Sequence, residues 1–556
     1  MLIKTRITEM SCKMKDQNSE VVRQTGSKTV LGLDVGTTTI KAIIINEKGE
    51  ILGKSFAKTE VIHPEPHLEE IDPDELWRKV KSVLTECMKN ANVFDCDPDR
   101  ISCMGLCTLR SSFITWSKQT GKPFHNIITW KDRRAEDLAK EWDSGMQLKL
   151  LRLVSGAAYL ITRNKAHQLN SNYHLDTTLC NIKLAWVLKN ISEVKKAAQE
   201  GDLMFGTLDT WLIYKLSGEM NHVTEASNVI STGLWDMFIQ DYSERALNYF
   251  DIPKAILPKI VDSGSRKDYG VMHDNTIYNN ESACEIVSNI PITAVMADQG
   301  ASAFGTGCFQ KGDIKVTLGT GTFLNMNTKA KPHCSFKGLW PLISWKVSDE
   351  VDFFVEGHIY GTSASIEWGQ NMGFYQNPKE TSDIAFAANE LGDLCFVPGF
   401  HGLQEPFTDP RAGCGLIGLK SEHGKKEMTR AILESIAFGV KAIVERVEEQ
   451  IDYAKVTKEI KIDGGISNND FVLQLIADLT NKSVIRMPSP DMSVIGVAFM
   501  AGIQSKVWGN QADLKELLGN TKTFSPLPST QHMKEINARF KYWKRSCQRF
   551  ASFHKS

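Results

Sequence analysis

The chain has 556 residues, of which 42% are hydrophobic and 24% charged, and its formal net charge is −1. This length predicts several domains that each bury a full core, in a composition ordinary for a soluble globular protein. The balanced charge gives no support for nucleic acid or an anionic membrane as the main partner, and no apolar run approaches the ~18 residues that span a bilayer.

The cysteines and the first residues bear on location. The twelve cysteines are scattered and form no C-x-x-C pair, a usage typical of reduced thiols in the cytoplasm. Residues 1–28 are polar with mixed charge and contain no hydrophobic signal core. We therefore expect a flexible N-terminal tail rather than a secretory signal peptide.

The first folded segment is predicted to be a three-stranded meander followed by a helix. One β-rich run ends at Asp34, a turn of Gly and Thr follows at 36–38, and two further strands come next. Asp72 as N-cap and Pro73 at the first helical position predict an amphipathic helix. A short strand at Ile101–Leu106 follows, and this order of elements is typical of an α/β layer.

The second half repeats this plan. Hairpin strands at 314–326 enclose the turn Gly319-Thr320-Gly321, and a third strand is predicted near Leu342–Val347. Small residues at a hairpin tip leave backbone N–H and hydroxyl groups free to bind an anion. The two tips therefore predict two like-folded domains that face each other across a polyphosphate. Further predicted elements are helices at 363–372 and 426–450 and a strand at 460–463.

The expected domain boundary lies between Gly305 and Gly312. It separates an N-terminal domain at 29–308 from a C-terminal domain at 309–515, with a tail at 1–28 and a C-terminal extension at 516–556.

Asp298 and Gln299 form the candidate catalytic pair. They follow an apolar strand at Pro291–Val295 and precede small residues that suit a closely packed helix. Ligands of α/β proteins usually bind where a strand ends and a helix begins. A carboxylate there can accept the proton of a hydroxyl that attacks phosphorus, and Gln299 can bond the same substrate. The alternative is that Asp298 only caps its helix.

The first hairpin carries candidate cation and phosphate ligands. Asp34 can hold a hydrated Mg²⁺, because Mg²⁺ prefers oxygen ligands and retains its waters. Thr37, Thr38, Thr39 and Lys41 are candidate phosphate ligands. The alternatives are an Asp that caps the turn, threonines chosen for their β propensity, and a solvated strand lysine.

A second Gly-rich turn follows a later strand. Asp463-Gly464-Gly465 ends that strand, and Asn469 follows at the start of a helix. Glycines without side chains let the backbone approach a flat ring or a ribose. A plain left-handed turn is the alternative.

Taken together, these motifs resemble the FGGY family of carbohydrate kinases, within the actin-like ATPase superfamily. The phosphate-1 segment resembles Asp34–Lys41, the catalytic segment Asp298-Gln299, the phosphate-2 segment Gly319–Gly321 and the adenosine segment Asp463–Asn469. Longer stretches are similar to glycerol kinases, and they lie at 109–123, 126–134, 209–216 and 402–410. The resemblance runs from about Thr29 to Trp508.

The resemblance implies two actin-like (ribonuclease H-like) ATPase domains around a central nucleotide cleft. It implies transfer of the γ-phosphoryl group of ATP, with Mg²⁺, to a hydroxyl of a small polyol or sugar, with glycerol giving sn-glycerol 3-phosphate as the leading reaction. The resemblance also implies roles for individual residues. Asp298 would act as the base, and the polyol would be bound by Arg110, Trp130, Asp298 and Gln299. Thr320 and Gly321 would bind phosphate, and the nucleotide would be contacted by Ser363, Gly465 and Asn469.

Three positions depart from the glycerol kinase pattern. Ser111 stands where those kinases carry Glu, Thr178 where they carry a pocket Tyr, and Ser363 where a nucleotide-contacting Gly is usual. A site that loses partners for a substrate hydroxyl loses selectivity for that substrate. The departures leave two readings open, a kinase for another polyol or sugar and a weakly catalytic regulatory protein.

An alternative function from a different class is a nucleotide-driven machine like actin. The Arg110 and Trp130 segments and the Asp298-Gln299 pair argue against it, because such a machine needs no polyol pocket. A homo-oligomer remains open.

Overall fold

The computed structural model describes residues 28–91, 101–273, 289–335, 338–400, 402–404, 407–519 and 521–554. Apart from Lys28, the predicted tail at 1–28 lies outside the described residues, as does Pro406 of the 402–410 segment.

The first half of the described chain contains two sheets of four or more strands and two sheets of two strands. Its strands are β1 (Thr29–Val35), β2 (Thr39–Asn46), β3 (Ile51–Lys58), β4 (Glu70–Ile71), β5 (Ile101–Thr108), β6 (Phe113–Ser117), β7 (Ile127–Ile128), β8 (Leu203–Thr207), β9 (Val223–Glu225), β10 (Trp235–Asp236), β11 (Asp241–Tyr242), β12 (Lys259–Val261), β13 (Val271–Met272) and β14 (Ile290–Ala297). The large sheet has the order β13-β14-β5-β1-β2-β3, and a smaller sheet has the order β4-β7-β6-β8.

The helices of this half are α1 (Pro73–Asn90), α2 (Glu136–Asp143), α3 (Met146–Thr162), α4 (Lys165–Ser171), α5 (Cys180–Asn190), α6 (Ser192–Glu200), α7 (Leu208–Leu216), α8 (Ala226–Val229), α9 (Glu244–Phe250) and α10 (Asp298–Gly305). The predicted meander and helix are confirmed. β1 pairs antiparallel with β2, which pairs antiparallel with β3. The Asp72 carboxylate accepts hydrogen bonds from the backbone N–H groups of Asp74 and Glu75 at the start of α1, as an N-cap should.

The second half is built on one seven-stranded sheet. Its strands are β15 (Ile314–Leu318), β16 (Thr322–Lys329), β17 (Trp340–Val347), β18 (Glu350–Ile359), β19 (Cys395–Val397), β20 (Gly415–Ile417), β21 (Glu459–Asp463), β22 (Ser483–Arg486) and β23 (Lys522–Phe524). The sheet order is β17-β18-β16-β15-β21-β22-β23, and β19 pairs with β20 separately. Its helices are α11 (Thr362–Asn371), α12 (Thr381–Phe386), α13 (Lys425–Gln450), α14 (Asp470–Thr480), α15 (Met492–Gln504), α16 (Gln511–Leu517) and α17 (Thr530–Arg549).

One strand of this sheet, β18, was not predicted from the sequence. The predicted strand near Leu342–Val347 is present as β17, but it lies at the sheet edge. The strand that pairs with β16 is β18. Asp352 and Glu356 interrupt the apolar pattern of β18, which hid it from a periodicity argument, yet both are buried and ion-paired.

Helix α15 joins the two halves. It lies between β22 and β23 of the C-terminal sheet in the chain but packs on the N-terminal sheet, where glycines permit close backbone contact. A Cβ atom added at Gly105 would lie 2.4 Å from Val497 O, and one at Gly496 would lie 1.8 Å from Ala301 O in α10. Any larger residue at either position would force the elements apart.

The predicted C-terminal extension is part of the second domain's core. β23 adds a strand to the sheet, and α17 buries Phe540 and Trp543. The Trp543 indole N–H donates to Phe396 O at 2.9 Å.

Nine cysteines of the described chain are free thiols, eight of them buried. Over the described residues, no helix combines the length and apolarity needed to cross a bilayer.

Candidate active site

The tips of the two predicted phosphate hairpins meet. The turn at 36–38 joins β1 to β2, and the turn at 319–321 joins β15 to β16. Thr38 Oγ1 lies 3.2 Å from Thr320 Oγ1, although the two residues belong to different sheets. Inside each tip a backbone N–H closes the turn, from Gly36 to Thr39 O and from Gly319 to Gly321 O. A phosphate at this junction can take hydrogen bonds from both hydroxyls.

Asp34 lies beneath the first tip and is only 6% exposed. Ser493 Oγ donates to its Oδ2 at 2.6 Å, and the Cys107 thiol, a weak donor, lies beside the carboxyl group. Among the described residues, its buried Oδ1 has no hydrogen-bond partner. Burial raises the pKa of Asp34 above its usual range. A buried carboxylate oxygen without a conventional partner fits a hydrated cation as its missing contact.

Lys41 connects this carboxylate to the start of α15. Its Nζ donates to Asp491 Oδ1 at 2.6 Å. Burial alone would lower the pKa of Lys41, but the carboxylates of Asp34 and Asp491 outweigh burial and raise it. The ammonium is therefore charged near the phosphate tips. Thr39 begins β2, and its carbonyl closes the 36–38 turn.

Asp298 begins α10, and its side chain is 34% exposed. Its Oδ1 accepts the backbone N–H of Gln299 at 2.7 Å and lies 3.6 Å from Arg110 Nε. The Gln299 amide is held in place by buried Lys315, whose Nζ donates to Gln299 Oε1 at 2.6 Å. Burial lowers the pKa of Lys315. The pair thus presents a partly solvated carboxylate beside an oriented amide.

Arg110 reaches across to the other domain. Its Nη2 donates to both carboxylate oxygens of Glu356 on β18, at 2.9 and 2.8 Å. Asn325 Nδ2 also donates to Glu356 at 2.8 Å. Although burial opposes its charge, Glu356 and Asp298 raise the pKa of Arg110. The side chains of Arg110 and Glu356 are 14% and 6% exposed, so removing one partner would strand a buried charge.

Trp130 belongs to an aromatic wall. Its indole N–H donates to Thr37 Oγ1 at 3.1 Å, which ties it to the first phosphate tip. The Trp130 and Tyr360 rings have centroids 5.1 Å apart, and His358 stacks on Tyr360 at 4.5 Å. Burial lowers the pKa of His358 and raises that of Tyr360. Both groups are therefore neutral, and His358 Nδ1 is buried without a partner among the described residues.

The two departing positions of the acceptor pocket, Ser111 and Thr178, make hydrogen bonds within the protein. Ser111 has φ +58°, its N–H donates to Ser231 Oγ, and its hydroxyl donates to Ser231 O at 3.3 Å. Thr178 donates to Asp176 Oδ1 at 2.9 Å and hydrogen-bonds the Tyr360 hydroxyl. Tyr360 therefore lies next to the position where the glycerol kinase pattern places its own tyrosine.

Lys183 fastens the two pocket loops together. It is fully buried, its Nζ donates to Thr129 O at 2.7 Å, and Ser111 O lies 3.5 Å away. Burial lowers the pKa of Lys183 to about 8. The carbonyls it binds lie next to Trp130 and Arg110, so Lys183 positions both side chains indirectly.

The second glycine turn, at Gly464-Gly465, packs against the second hairpin on one side and is open on the other. Gly464 has φ +90°, and a Cβ atom there would lie 2.4 Å from Leu318 O. A Cβ atom at Gly465 would meet nothing within 4 Å, so the backbone there faces open space. The preceding Asp463 is buried and accepts hydrogen bonds from Ser302 and Thr317 hydroxyls at 2.7 and 2.6 Å. Its pKa is raised by burial.

Two predicted nucleotide residues have partners within the protein. Asn469 caps α14 by accepting from Val472 N, and its amide donates to Thr381 Oγ1. The Ser363 hydroxyl lies 3.5 Å from Thr320 O, beside the second phosphate tip. Gly321 is required sterically, since a Cβ atom there would lie 2.9 Å from Ile359 O. Nucleotide contact by Asn469 and Ser363 remains a prediction.

Comparison with known proteins agrees with this geometry. The model of the FGGY family of carbohydrate kinases, N-terminal domain, matches residues 29–305, and the C-terminal domain model of the same family matches residues 314–505. The chain belongs to the FGGY family of carbohydrate kinases. The predicted two-domain α/β fold is confirmed.

Individual proteins are similar to this chain over most of its length. The chain is 38% identical to Glycerol kinase 5 of Danio rerio, over 89% of this chain and 91% of that protein. It is 35% identical to Glycerol kinase 5 of Homo sapiens, over 94% of this chain and 96% of that protein. The crystal structure of Plasmodium falciparum glycerol kinase with ADP matches with a TM-score of 0.79 and 25% identity, covering 94% of this chain and 98% of that one.

Sequence reasoning missed Glu356, Tyr360 and Lys315. The signal for Glu356 and Lys315 was a charge inside an apolar strand, since a buried charge needs a partner or a function. Tyr360 had no comparable signal, because an aromatic residue after a strand is most simply a core residue.

Proposed function

We propose that this FGGY-family protein transfers the γ-phosphoryl group of ATP to a hydroxyl of a small polyol or sugar, with glycerol as the leading acceptor. The observation that carries the proposal is the placement of Asp298. Its carboxylate lies partly exposed beside Arg110, at the cleft where the two phosphate tips meet.

The proposed step needs one proton acceptor. Asp298 takes the proton of the acceptor hydroxyl as the oxygen attacks the γ-phosphorus. The bond between that phosphorus and the β–γ bridging oxygen breaks, and ADP leaves with the electron pair. Thr38, Thr320 and Lys41 bind phosphate oxygens. Mg²⁺, when held by Asp34 through water, would neutralise charge on the phosphates.

The acceptor pocket uses residues from both domains. Arg110 and Trp130 come from the N-terminal domain, whereas Glu356 and Tyr360 come from the C-terminal one. Glu356 and Tyr360 supply a carboxylate and a phenol, the same chemical groups that Ser111 and Thr178 no longer provide. A polyol pocket therefore forms only when the domains are closed, which also excludes water from the reaction.

A coupled assay with ATP, Mg²⁺ and a panel of polyols and sugars tests this function. We expect turnover with at least one small acceptor, loss of turnover in Asp298→Asn, and unchanged turnover in the control Asp349→Asn on an exposed turn. Turnover that survives in Asp298→Asn would show that another group is the base.

A weakly catalytic regulatory protein is the second candidate. The loss of the Glu and Tyr of the glycerol kinase pattern at Ser111 and Thr178 favours it. Calorimetry separates the two candidates, because a regulatory protein would bind ATP and a polyol without turning either over.

The proposal includes the cellular compartment and the partners of the protein. Free, mostly buried thiols support a reducing compartment, and we propose the cytoplasm. The partner is a small-molecule acceptor rather than nucleic acid, and a homo-oligomer is compatible with this function.

A further inference from the structure

Helix α3 (Met146–Thr162) exposes most of its apolar side chains. Leu153 is 72% exposed, Leu160 68% and Ile161 84%, and Met146 is 81% exposed. Within the helix only Leu148 and Ser155 are buried. A surface helix normally turns its apolar side chains inward, so this helix needs a partner that the described part of the chain does not supply.

The exposed residues form one continuous stripe. At about 100° per residue, seven apolar side chains fall within an arc of roughly 120°, and none of the seven is buried. They are Met146, Leu150, Leu153, Val154, Ala157, Leu160 and Ile161. We call this set the α3 stripe. The opposite side of the helix is held to the domain, where Arg152 Nε donates to Tyr173 O at 2.7 Å.

The segment that contains the stripe carries basic residues and no acidic ones. From Ser144 to Leu175 the sequence holds Lys149, Arg152, Arg163 and Lys165 and no Asp or Glu. Arg152 is neutralised by Asp143. For Lys149, Arg163 and Lys165 the described residues provide no salt bridge. The balanced net charge of the whole chain therefore conceals a local cationic and apolar segment.

We propose that the α3 stripe binds the surface of an anionic lipid bilayer, with α3 lying in the plane of the interface. An apolar helix face bordered by Lys and Arg inserts into the headgroup and acyl boundary, and the cations attract acidic headgroups. A second copy of the chain would place one cationic segment against another, which charge disfavours. The inference is independent of the proposed kinase activity.

Vesicle co-sedimentation of the full chain tests the proposal. We expect binding to vesicles of phosphatidylcholine with phosphatidylserine, weak binding to phosphatidylcholine alone, and weakening by salt. Leu153→Glu with Ile161→Glu should reduce binding at least tenfold. Lys149→Ala should reduce it roughly fivefold, as expected for one cation near an anionic surface.

The matched control is Met220→Glu with Ile239→Glu. These residues are 80% and 64% exposed and lie outside α3, so this variant should bind vesicles like wild type. Thermal unfolding of all variants should match wild type, because the changed side chains are on the surface. If Leu153→Glu with Ile161→Glu unfolds early, it is replaced by Met146→Glu, which changes the stripe at the first residue of the helix.

Three results would overturn the proposal. They are no binding of wild type to phosphatidylserine vesicles, equal loss of binding in the control, and a wild-type dimer by sedimentation equilibrium that Leu153→Glu with Ile161→Glu dissociates. The last result would assign the α3 stripe to a second copy of the chain.

Discussion

The nucleotide side of the cleft and its acceptor side are built differently. The proposed nucleotide side consists of short contiguous turns, at 36–38, 319–321 and 463–465, each made of residues that are neighbours in the chain. The acceptor side is assembled from side chains far apart in sequence, such as Arg110 and Glu356, which meet only across the two domains. Contiguous turns can be recognised in a sequence, whereas a pocket assembled across two domains cannot. Such a pocket also tolerates the replacement of one contributing residue by another from elsewhere in the chain.

The largest expected effect concerns Asp298, the proposed base between the two sides. Asp298→Asn should reduce kcat by about 10²–10⁴-fold, the range for loss of a general base. The affinity for ATP should stay the same, because the phosphate tips are unchanged. Isothermal titration with ATP and a coupled kinetic assay measure the two quantities. Equal losses in ATP binding and in kcat would place Asp298 on the nucleotide side instead.

The next effect should be confined to the acceptor side. Glu356→Gln leaves the buried Arg110 guanidinium without its carboxylate, and breaking a buried pair costs about 3–5 kcal/mol. We expect kcat/KM for the acceptor to fall about 10²-fold or more while KM for ATP changes little. Glu350→Gln, exposed on the same strand, is the control. An unaffected acceptor KM would contradict the cross-domain pocket.

Acid should weaken the acceptor-side scaffold through His125. Its ring bonds the Thr115 hydroxyl and Asn126 O, and burial lowers its pKa to about 4 from 6.5. The depressed pKa means that stability is full above pH 6.5 and is lost as the pH falls towards 4, by about 2 kcal/mol at pH 5.

The pH dependence of urea unfolding checks the role of His125. His125→Gln should flatten the slope between pH 6.5 and 4, whereas exposed His554→Gln should leave it as in wild type. A slope that is identical in all three proteins would exclude His125 as its source.

The smallest effect tests whether Tyr360 replaces the missing pocket tyrosine. Tyr360→Phe keeps the ring against Trp130 and removes one hydroxyl, worth about 0.5–1.5 kcal/mol. We expect kcat/KM for the acceptor to fall about two- to tenfold, with ATP kinetics unchanged. Tyr542→Phe on α17 serves as the control. Should Thr178→Tyr restore the loss in Tyr360→Phe, the two positions share one function.

Sequence reasoning placed the first hairpin and the start of α1 correctly, α11 and α13 to within one residue, and the second hairpin to within three residues. Turn chemistry, capping and periodicity act locally, so the residues that set them are neighbours in the chain. It failed at β18. There Asp352 and Glu356 interrupt the apolar strand pattern, because their ion-pair partners lie on another strand and in the other domain. The placement of 516–556 as an extension also fell short, because only packing reveals that α17 completes the core.

The sequence by itself determined the family, the two hairpin turns and the candidate Asp298-Gln299 pair, because each rests on contiguous motifs whose geometry follows from their own residues. The tertiary structure alone decided which side chains form the acceptor pocket, that Lys315 orients Gln299, and that the α3 stripe faces solvent. These are relations between residues far apart in the chain, and their distances and exposures are fixed by how the sheets and helices pack.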